Sequence, residues 1–407
     1  MPTRACLALL VLALAAPSVA ADQKILHLAI GDPARRDREA PVVLDGITDT
    51  ATGEVLSPDD LPARLAKVGL LLLGEEHTSL ESHRIQLRVL QALADSGRRV
   101  LIGLEMYPYT AQAALDRWHT GSLPEEEFLA ASRWYENWGY NWLYYRDIFV
   151  MARDRRIPMF AVNTPREVVA AVRKKGLANL SPEESAHIPG RIDADDPDHL
   201  LYFKTTFEGE QGPVHGEGMS EEMWRNMLGA QATWDATMGY NAVQAWKRAN
   251  DPGAIMVVLV GLGHVAYGLG IERQARHWFD GGIAGLIPVT VNGPDGPVAS
   301  VRASYANYLW GLPHALDSAY PSLGISTAVG AGDAARRVII VQKDSVGERA
   351  GIKAGDVIVS VDGVPLADKE TYNRLLAAKR WGDRAKIVVR RGTEEVALTA
   401  LLRRTVK

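Results

Sequence analysis

Cysteine is nearly absent from this sequence of 407 residues, in which Cys6 is the single example. Cys6 precedes an apolar stretch that has the features of a cleaved leader, so we expect no cysteine in the mature chain. Disulfides and thiolate metal sites are then excluded, and a bound metal would need His, Glu, Asp, Tyr or Met as ligands. A lipid-anchoring cysteine would follow the apolar stretch, so we do not predict a lipoprotein.

Long apolar runs and clusters of basic residues are also missing from the sequence. After the leader, no segment approaches the roughly 18 unbroken apolar residues of a membrane-spanning helix. The formal net charge is −4 and no Lys/Arg-rich run is present, so we expect no nucleic-acid partner. The composition of the whole sequence, 47% hydrophobic and 23% charged, is typical of globular proteins. The length predicts two domains.

Residues 1–21 have the pattern of a signal peptide. Arg4 supplies the positive start, CLALLVLALAA is the apolar stretch, and PSVA before Ala21 offers small residues for cleavage. We therefore expect the protein to be periplasmic or secreted, and soluble after cleavage.

Short apolar runs alternate with helix-like segments through the first two thirds of the chain. The runs are continuous rather than alternating, as in strands that helices cover on both faces. This pattern predicts an α/β fold with a doubly wound, mostly parallel sheet and helices on both faces. The runs are 68–73, 99–104, 158–162, 254–260 and 283–291.

Polar side chains follow the predicted strands where ligands bind in open α/β sheets, at the carboxyl ends. The sequence GEEH after the first run and GLGH after the fourth both read Gly-x-x-His. Two imidazoles with neighbouring carboxylates suit a divalent metal such as zinc, manganese or iron, or a hydrolase that activates water. In the alternative, the histidines only bond to local backbone. The predicted metal or catalytic residues are Glu75, His77, Glu105 and His264.

An aromatic segment, RWYENWGYNWLYY, lies between the second and third runs. Trp134, Trp138 and Trp142 are four residues apart and would form one stripe on a helix. A core face is one interpretation. The density of aromatic rings also suits stacking against a large flat ligand.

These motifs, in this order, resemble the ChaN-like haem-binding proteins of the Tiki superfamily, which are marked by paired Gly-x-x-His motifs. The similarity runs from about 42 to 290 and includes GEEHTSLESHRIQ, GLEMYPYTAQAALDRW, AQATWDATM and GLGHVAYGLGI, within a predicted domain at 22–290. The family is implicated in haem or iron uptake, and some members dimerise around haem. The superfamily also contains metal-dependent proteases and esterase-type hydrolases.

The resemblance implies a haem site, because a phenol oxygen can hold ferric haem. Tyr145 is the first choice as axial ligand, with Tyr144 and Tyr107 as competitors. A guanidinium binds carboxylates in a fork, so Arg166 would neutralise a propionate or pair with a glutamate. Other residues match family positions, or already belong to the histidine motifs, and complete the predicted haem site: His77, His83, Gln231, Asp235 and His264.

The C-terminal residues 319–405, after a predicted linker at 291–318, resemble a PDZ domain. SVGERAGIKAGDVIVSVDGVPL matches the centre of that family, and SLGI sits where the family has its carboxylate-binding loop. The N–H groups around Leu323, Gly324 and Ile325 would then bind the C-terminus of a peptide that pairs with a sheet edge. In the alternative, the module only packs against its neighbour.

Two functions therefore follow from the sequence. The first is an exported haem-binding protein in which the PDZ module recruits a peptide or protein partner. The second is a metal-dependent hydrolase that uses the paired histidines. We favour haem binding because only that function uses the aromatic segment.

Overall fold

The computed structural model describes residues 23–209, 220–293, 296–313, 318–329 and 336–404. The predicted signal peptide lies outside them. The chain forms two compact units. The C-terminal unit contains Arg133–Tyr144 and the described residues from 318 onward, and the α/β unit contains the described residues up to Ser132 and from Tyr145 to 313.

The α-helices are α1 (Gln23–Leu26), α2 (Leu61–Arg64), α3 (Leu80–Asp95), α4 (Gln112–His119), α5 (Glu125–Ala131), α6 (Trp134–Asn137), α7 (Arg146–Asp154), α8 (Arg166–Lys175), α9 (Pro182–Ser185), α10 (Pro197–Gly209), α11 (Glu221–Ala249), α12 (Ile271–Ala275), α13 (Val346–Arg349) and α14 (Lys369–Ala377). Within the described residues, no helix is long and apolar enough to span a membrane.

The strands are β1 (Glu39–Pro41), β2 (Ile47–Asp49), β3 (Val55–Leu56), β4 (Val68–Glu75), β5 (Val100–Pro108), β6 (Met159–Asn163), β7 (Ile255–Gly261), β8 (Gly282–Thr290), β9 (Asn292–Gly293), β10 (Gly296–Pro297), β11 (Ser300–Arg302), β12 (Tyr308–Leu312), β13 (Ile325–Val329), β14 (Arg336–Val341), β15 (Val357–Val361), β16 (Val364–Pro365), β17 (Arg384–Arg391) and β18 (Glu394–Leu401).

The α/β unit is built on an eight-stranded sheet with the order β3-β2-β12-β8-β4-β7-β5-β6. All neighbours from β12 to β6 are parallel, and β2 and β3 are antiparallel additions at one edge. Every residue of the central strand β7 is buried, as expected where helices cover both faces of a sheet. The predicted mostly parallel α/β fold is confirmed, and all five predicted apolar runs are strands of this sheet.

The interval 291–318, expected to be a linker, contributes strands of its own. β12 pairs in parallel with β8 and antiparallel with β2, so it is a member of the main sheet. Its residues are buried throughout. The sheet therefore extends beyond the last apolar run that the sequence pattern identified.

Helix α11 is the longest helix and crosses the α/β unit. The Ser220 side chain caps its start by accepting the N–H of Met223. It ends at Asn250, which has the left-handed φ of 49° that is common at helix ends. Small residues such as Gly239, which lies against Ala275 of α12, allow close packing. This packing positions the middle of α11, where Gln231 and Asp235 lie.

The C-terminal unit contains an antiparallel sheet with the order β13-β14-β15-β17-β18, in which β16 pairs with β15. Its small core includes Val338, Ile358, Ile387 and Tyr372 of α14. The predicted small, mostly β module is confirmed.

The aromatic segment does not form the single helix on which its tryptophans would make a stripe. Helix α6 is four residues long and is followed by Gly139, whose φ of 90° is incompatible with a continuing α-helix. Trp134 and Trp142 instead pack edge to face, with ring centroids 5.0 Å apart. Residues 133–144 of the segment belong to the C-terminal unit, whereas its last residue, Tyr145, belongs to the α/β unit.

Candidate functional site

The candidate site lies at the carboxyl ends of three adjacent strands. Glu75 is the last residue of β4, Glu105 lies near the end of β5, and Gly261 is the last residue of β7, which separates the other two strands. The register places Glu75 opposite Gly261. The residues that follow, His77 and His264, are therefore brought to one edge of the sheet.

A first buried network is centred on Glu75. One carboxylate oxygen of Glu75 lies 2.8 Å from Nδ1 of His77 and accepts the hydroxyl of Tyr145 at 2.5 Å. The other oxygen accepts the side-chain amide of Gln86 at 2.6 Å and lies 3.6 Å from Nδ1 of His83. The rings of His83 and Tyr145 are in contact, with centroids 4.2 Å apart. All five side chains are buried.

A second buried network is centred on His264. Its Nδ1 lies 2.6 Å from a carboxylate oxygen of Asp235 and 2.9 Å from the side-chain amide nitrogen of Gln231. Its Nε2 lies 3.3 Å from Glu105. The second oxygen of Glu105 accepts the backbone N–H of Gly261 at 2.7 Å. Helix α11 and strand β5 therefore hold the imidazole of His264 from its two sides.

The two networks meet at Gly261. A methyl group at this position would lie 2.9 Å from Cε1 of His77, 3.1 Å from its Nε2 and 3.7 Å from the Glu105 carboxylate. The glycine of the second Gly-x-x-His motif thus makes room for the histidine of the first. The group that approaches Gly261 is thus a side chain of the same protein.

Charge pairing governs the protonation of both networks. Burial acts to raise the pKa of Glu75, but the positive charge of His83 and the hydrogen bond from His77 lower it to about 2. Burial acts to lower the pKa of His264, but the carboxylates of Asp235 and Glu105 raise it to about 10. At neutral pH the site therefore holds ionised Glu75 beside the first imidazoles, and a charged His264 between two acidic side chains.

Glu76, which lies between Glu75 and His77 in the sequence, has a pKa shift opposite to that of Glu75. Its side chain is half-buried, and no described residue donates a hydrogen bond to its carboxylate. Burial raises the pKa of Glu76 to about 7, although the nearby His77 opposes this effect. The site thus contains a carboxyl group that titrates near neutrality.

The three candidate tyrosines lie in three different environments. Tyr145 belongs to the first network. Tyr107 is buried on β5, and its hydroxyl donates to Ser132 at 3.0 Å, away from the histidines. Tyr144 lies in the C-terminal unit, where its hydroxyl accepts the backbone N–H of Tyr320 at 3.3 Å. The structure thus brings Tyr145 into the histidine cluster, whereas the hydroxyls of Tyr107 and Tyr144 bond to Ser132 and Tyr320.

Arg166 begins α8 and is exposed to solvent. It follows β6, the edge strand of the main sheet, whereas the histidine networks lie on β4, β5 and β7. The structure therefore places Arg166 at the rim rather than within the buried networks.

The four predicted metal ligands bond to one another and to their neighbours. In the part of the chain that the structure describes, no group of three or more His, Cys, Asp or Glu side chains is arranged to hold a metal ion. These hydrogen bonds hold protons between the carboxylates and the imidazoles, and they orient the imidazole and phenol groups.

His199 is a buried member of the site that the sequence pattern did not reveal. Its Nε2 lies 4.0 Å from the second oxygen of Asp235, and among the described residues neither atom has a hydrogen-bond partner. His199 lies in α10 within the sequence DPDHLLYF, which carries no recognisable motif. Only the packing of α10 near α11 brings it to Asp235.

A family model described as haem-binding uptake, Tiki superfamily, ChaN matches residues 61–274, which is more than half of the chain. The chain belongs to this ChaN-like family. The solved structure of ChaN of Campylobacter jejuni, described as cofacial haem binding to that protein, has the same fold. It is 16% identical, its TM-score is 0.51, and the match covers 66% of this chain and 98% of that one.

The C-terminal unit of this ChaN-like chain contains a PDZ domain, whose family model matches residues 338–391. A probable periplasmic serine endoprotease DegP-like of Rhizobium meliloti is 41% identical over 68 residues, which is 17% of this chain and 12% of that protein. The chain thus spans about an eighth of that relative. The PDZ domain of HtrA3 bound to a phage-derived ligand is 24% identical, with a TM-score of 0.18, and covers 20% of this chain and 83% of that one.

Proposed function

We propose that this ChaN-like protein binds haem at the carboxyl edge of its parallel sheet, with Tyr145 as the axial ligand. The observation that carries the proposal is the contact of the Tyr145 hydroxyl with Glu75 beside two imidazoles. Phenol oxygen and imidazole nitrogen are both ligand types for haem iron, so the donor set fits the group. Bound haem would supply an iron centre, which Tyr145 would hold.

Glu75 has a positioning role in this proposal. Because the His83 charge and the His77 hydrogen bond keep its pKa at about 2, Glu75 stays ionised and accepts the phenol proton in a hydrogen bond. Such a partner makes the Tyr145 oxygen more basic and fixes its direction. Tyr145 is fully buried, so its side chain must become accessible before iron binds, and we expect a slow step in haem binding.

The test is a titration of the mature protein with haemin, followed by absorption spectroscopy. We expect Tyr145→Phe to abolish the charge-transfer band of a tyrosine-ligated ferric haem and to weaken binding at least tenfold. Tyr107→Phe and Tyr144→Phe are matched controls, since both hydroxyls have other partners, and both should bind like wild type. Unchanged spectra for Tyr145→Phe, with loss of binding in His77→Ala, would move the ligand to His77.

The PDZ domain is proposed to bind the C-terminus of a peptide or protein partner. Within the described residues, the N–H groups of Leu323 and Gly324 donate to no backbone carbonyl, and β13, which starts at Ile325, is an edge strand. Free loop N–H groups next to a free strand edge are what a terminal carboxylate and an added strand require. Binding of labelled C-terminal peptides, measured by fluorescence anisotropy, tests this role.

Export and a role in haem or iron uptake complete the proposal. Their support is the signal-like sequence at 1–21 and membership of a family described by haem uptake. Mass spectrometry of the protein from a periplasmic fraction should give a chain that lacks residues 1–21. Sedimentation with and without haemin tests whether two protomers associate around the ligand.

A further inference from the structure

The groove of the PDZ domain contains a buried positive charge. β13 is an edge strand of the sheet. Arg336, on the neighbouring strand β14, contacts both β13 and helix α14. Its Nη2 donates a hydrogen bond to the hydroxyl of Thr327 on β13, and its guanidinium lies 5.0 Å from the ring centroid of Tyr372 on α14. The Arg336 side chain therefore lines the space between the strand and the helix.

Arg336 is incompletely satisfied. It is 7% exposed, and its Nε and Nη1 have no hydrogen-bond partner among the described residues. A buried donor without a partner is destabilising, and more so when it belongs to a charged group. The N–H bonds of Nε and Nη1 lie on different edges of the guanidinium, and each edge offers a charged donor to a carboxylate, the acceptor with which such a group forms its strongest hydrogen bonds.

The part of the aromatic segment that belongs to the C-terminal unit, residues 133–144, contacts α14. It lies along α14, where Lys369 donates to the carbonyl of Glu136 at 2.7 Å and Asn373 donates to that of Tyr135 at 2.8 Å. Burial lowers the pKa of Arg336, whereas the charges of Tyr372 and Glu136 raise it. Burial prevails, so the pKa of Arg336 is lowered, and among the described residues the Glu136 carboxylate makes no hydrogen bond to the two free nitrogens.

A peptide that pairs with β13 would place a side chain at this position. Alternate side chains of an added strand point to the same face of the sheet, and Thr327 marks the residue of β13 that faces Arg336. The peptide residue opposite Thr327 would therefore direct its side chain towards the guanidinium of Arg336.

We propose that the groove between β13 and α14 selects C-terminal peptides that carry an acidic side chain opposite Thr327, with Arg336 as the specificity-determining residue. This inference rests on the proposed peptide-binding function of the PDZ domain and names the chemical class of its partner.

The test uses the full chain and labelled peptides with a free C-terminus, in which one glutamate is moved along the sequence and compared with glutamine. We expect at least tenfold tighter binding of the glutamate peptide at one position. Arg336→Met should remove this difference and still bind the glutamine peptide, which shows that the groove is intact. The neighbouring Arg337→Met is the matched control, since Arg337 is exposed and bonds to the carbonyl of Gly355.

Glu136→Gln provides a second measurement. It removes a negative charge that would repel an acidic peptide side chain at Arg336, without changing the size of the residue, so the glutamate peptide should bind severalfold more tightly and the glutamine peptide equally well. Equal affinity of the glutamate and glutamine peptides for wild type, or a preference that survives Arg336→Met, would overturn the inference and leave peptide binding intact. Absence of peptide binding in every variant, including Glu136→Gln, would overturn the peptide-binding function itself.

Discussion

Gly261 shows how one missing side chain links two distant motifs. The backbone N–H of Gly261 binds Glu105, and its Cα faces the ring of His77. A side chain at this position would push the first histidine away from the second. At the residue scale, the Gly-x-x-His pair is therefore one packing unit rather than two independent ligand motifs.

Gly261→Ala is expected to destabilise the protein by about 1–3 kcal/mol, the usual cost of overpacking a core. The reason is the 2.9 Å approach that its methyl group would make to His77. Denaturant unfolding monitored by tryptophan fluorescence measures the change. Gly190→Ala is the matched control, because its methyl group would meet nothing within 4 Å, and it should change stability by less than about 0.5 kcal/mol.

At the scale of elements, the sheet was predictable because its strands are continuous apolar runs. β12 was missed because YLWGL follows a Gly- and Pro-rich stretch and gains its strand only by pairing with β8 and β2. The aromatic segment was misjudged as a helical stripe because spacing by four ignores the left-handed φ at Gly139. Sequence spacing reports local periodicity, whereas these two features depend on tertiary neighbours.

The site was partly predictable for the same reason. Glu75, Glu105 and His264 follow from the rule that parallel strands deliver polar groups to one edge. The grouping of Tyr145 with Glu75, rather than Tyr107 or Tyr144, depends on how α7 packs near α3. Residue spacing alone does not distinguish the three tyrosines, and only the family resemblance made Tyr145 the first choice.

Helix α11 carries Gln231 and Asp235, so its stability should be coupled to the site. Ser220→Ala removes the cap that accepts the N–H of Met223 and should cost about 1 kcal/mol of unfolding free energy. Ser220→Asp keeps an acceptor and adds a negative charge at the helix start, so it should retain the wild-type value. Equal losses in both variants, measured by urea unfolding, would mean that the cap is not the stabilising contact.

At the scale of the whole molecule, the buried site should set the pH at which the haem-free protein is most stable. Glu75 has its pKa lowered from 4.5 to about 2, so its contribution is present above pH 4.5 and is lost as the pH falls towards 2. Glu76 has its pKa raised to about 7 and His264 to about 10. Their contributions are present at lower pH and are lost as the pH rises through those values.

We therefore expect maximal stability near pH 4.5, below the usual range of about 5–8. Unfolding free energies from pH 3 to pH 10 measure the profile. Glu75→Gln should lower the free energy of unfolding by about 3 kcal/mol at pH 7, because each unit of the Glu75 pKa shift corresponds to roughly 1.4 kcal/mol. The loss should be smaller at pH 3. Glu76→Gln should remove the decline between pH 4.5 and 7, and an unaltered decline in that variant would contradict the assignment.

The C-terminal unit is assembled from two stretches of chain that are separated by the second half of the α/β sequence. An expression clone that starts at residue 319 would therefore omit residues 133–144, which contact α14. Lys369 and Asn373 would then lack the carbonyls of Glu136 and Tyr135. Peptide affinities measured on such a fragment would therefore describe an uncovered helix rather than the native polypeptide.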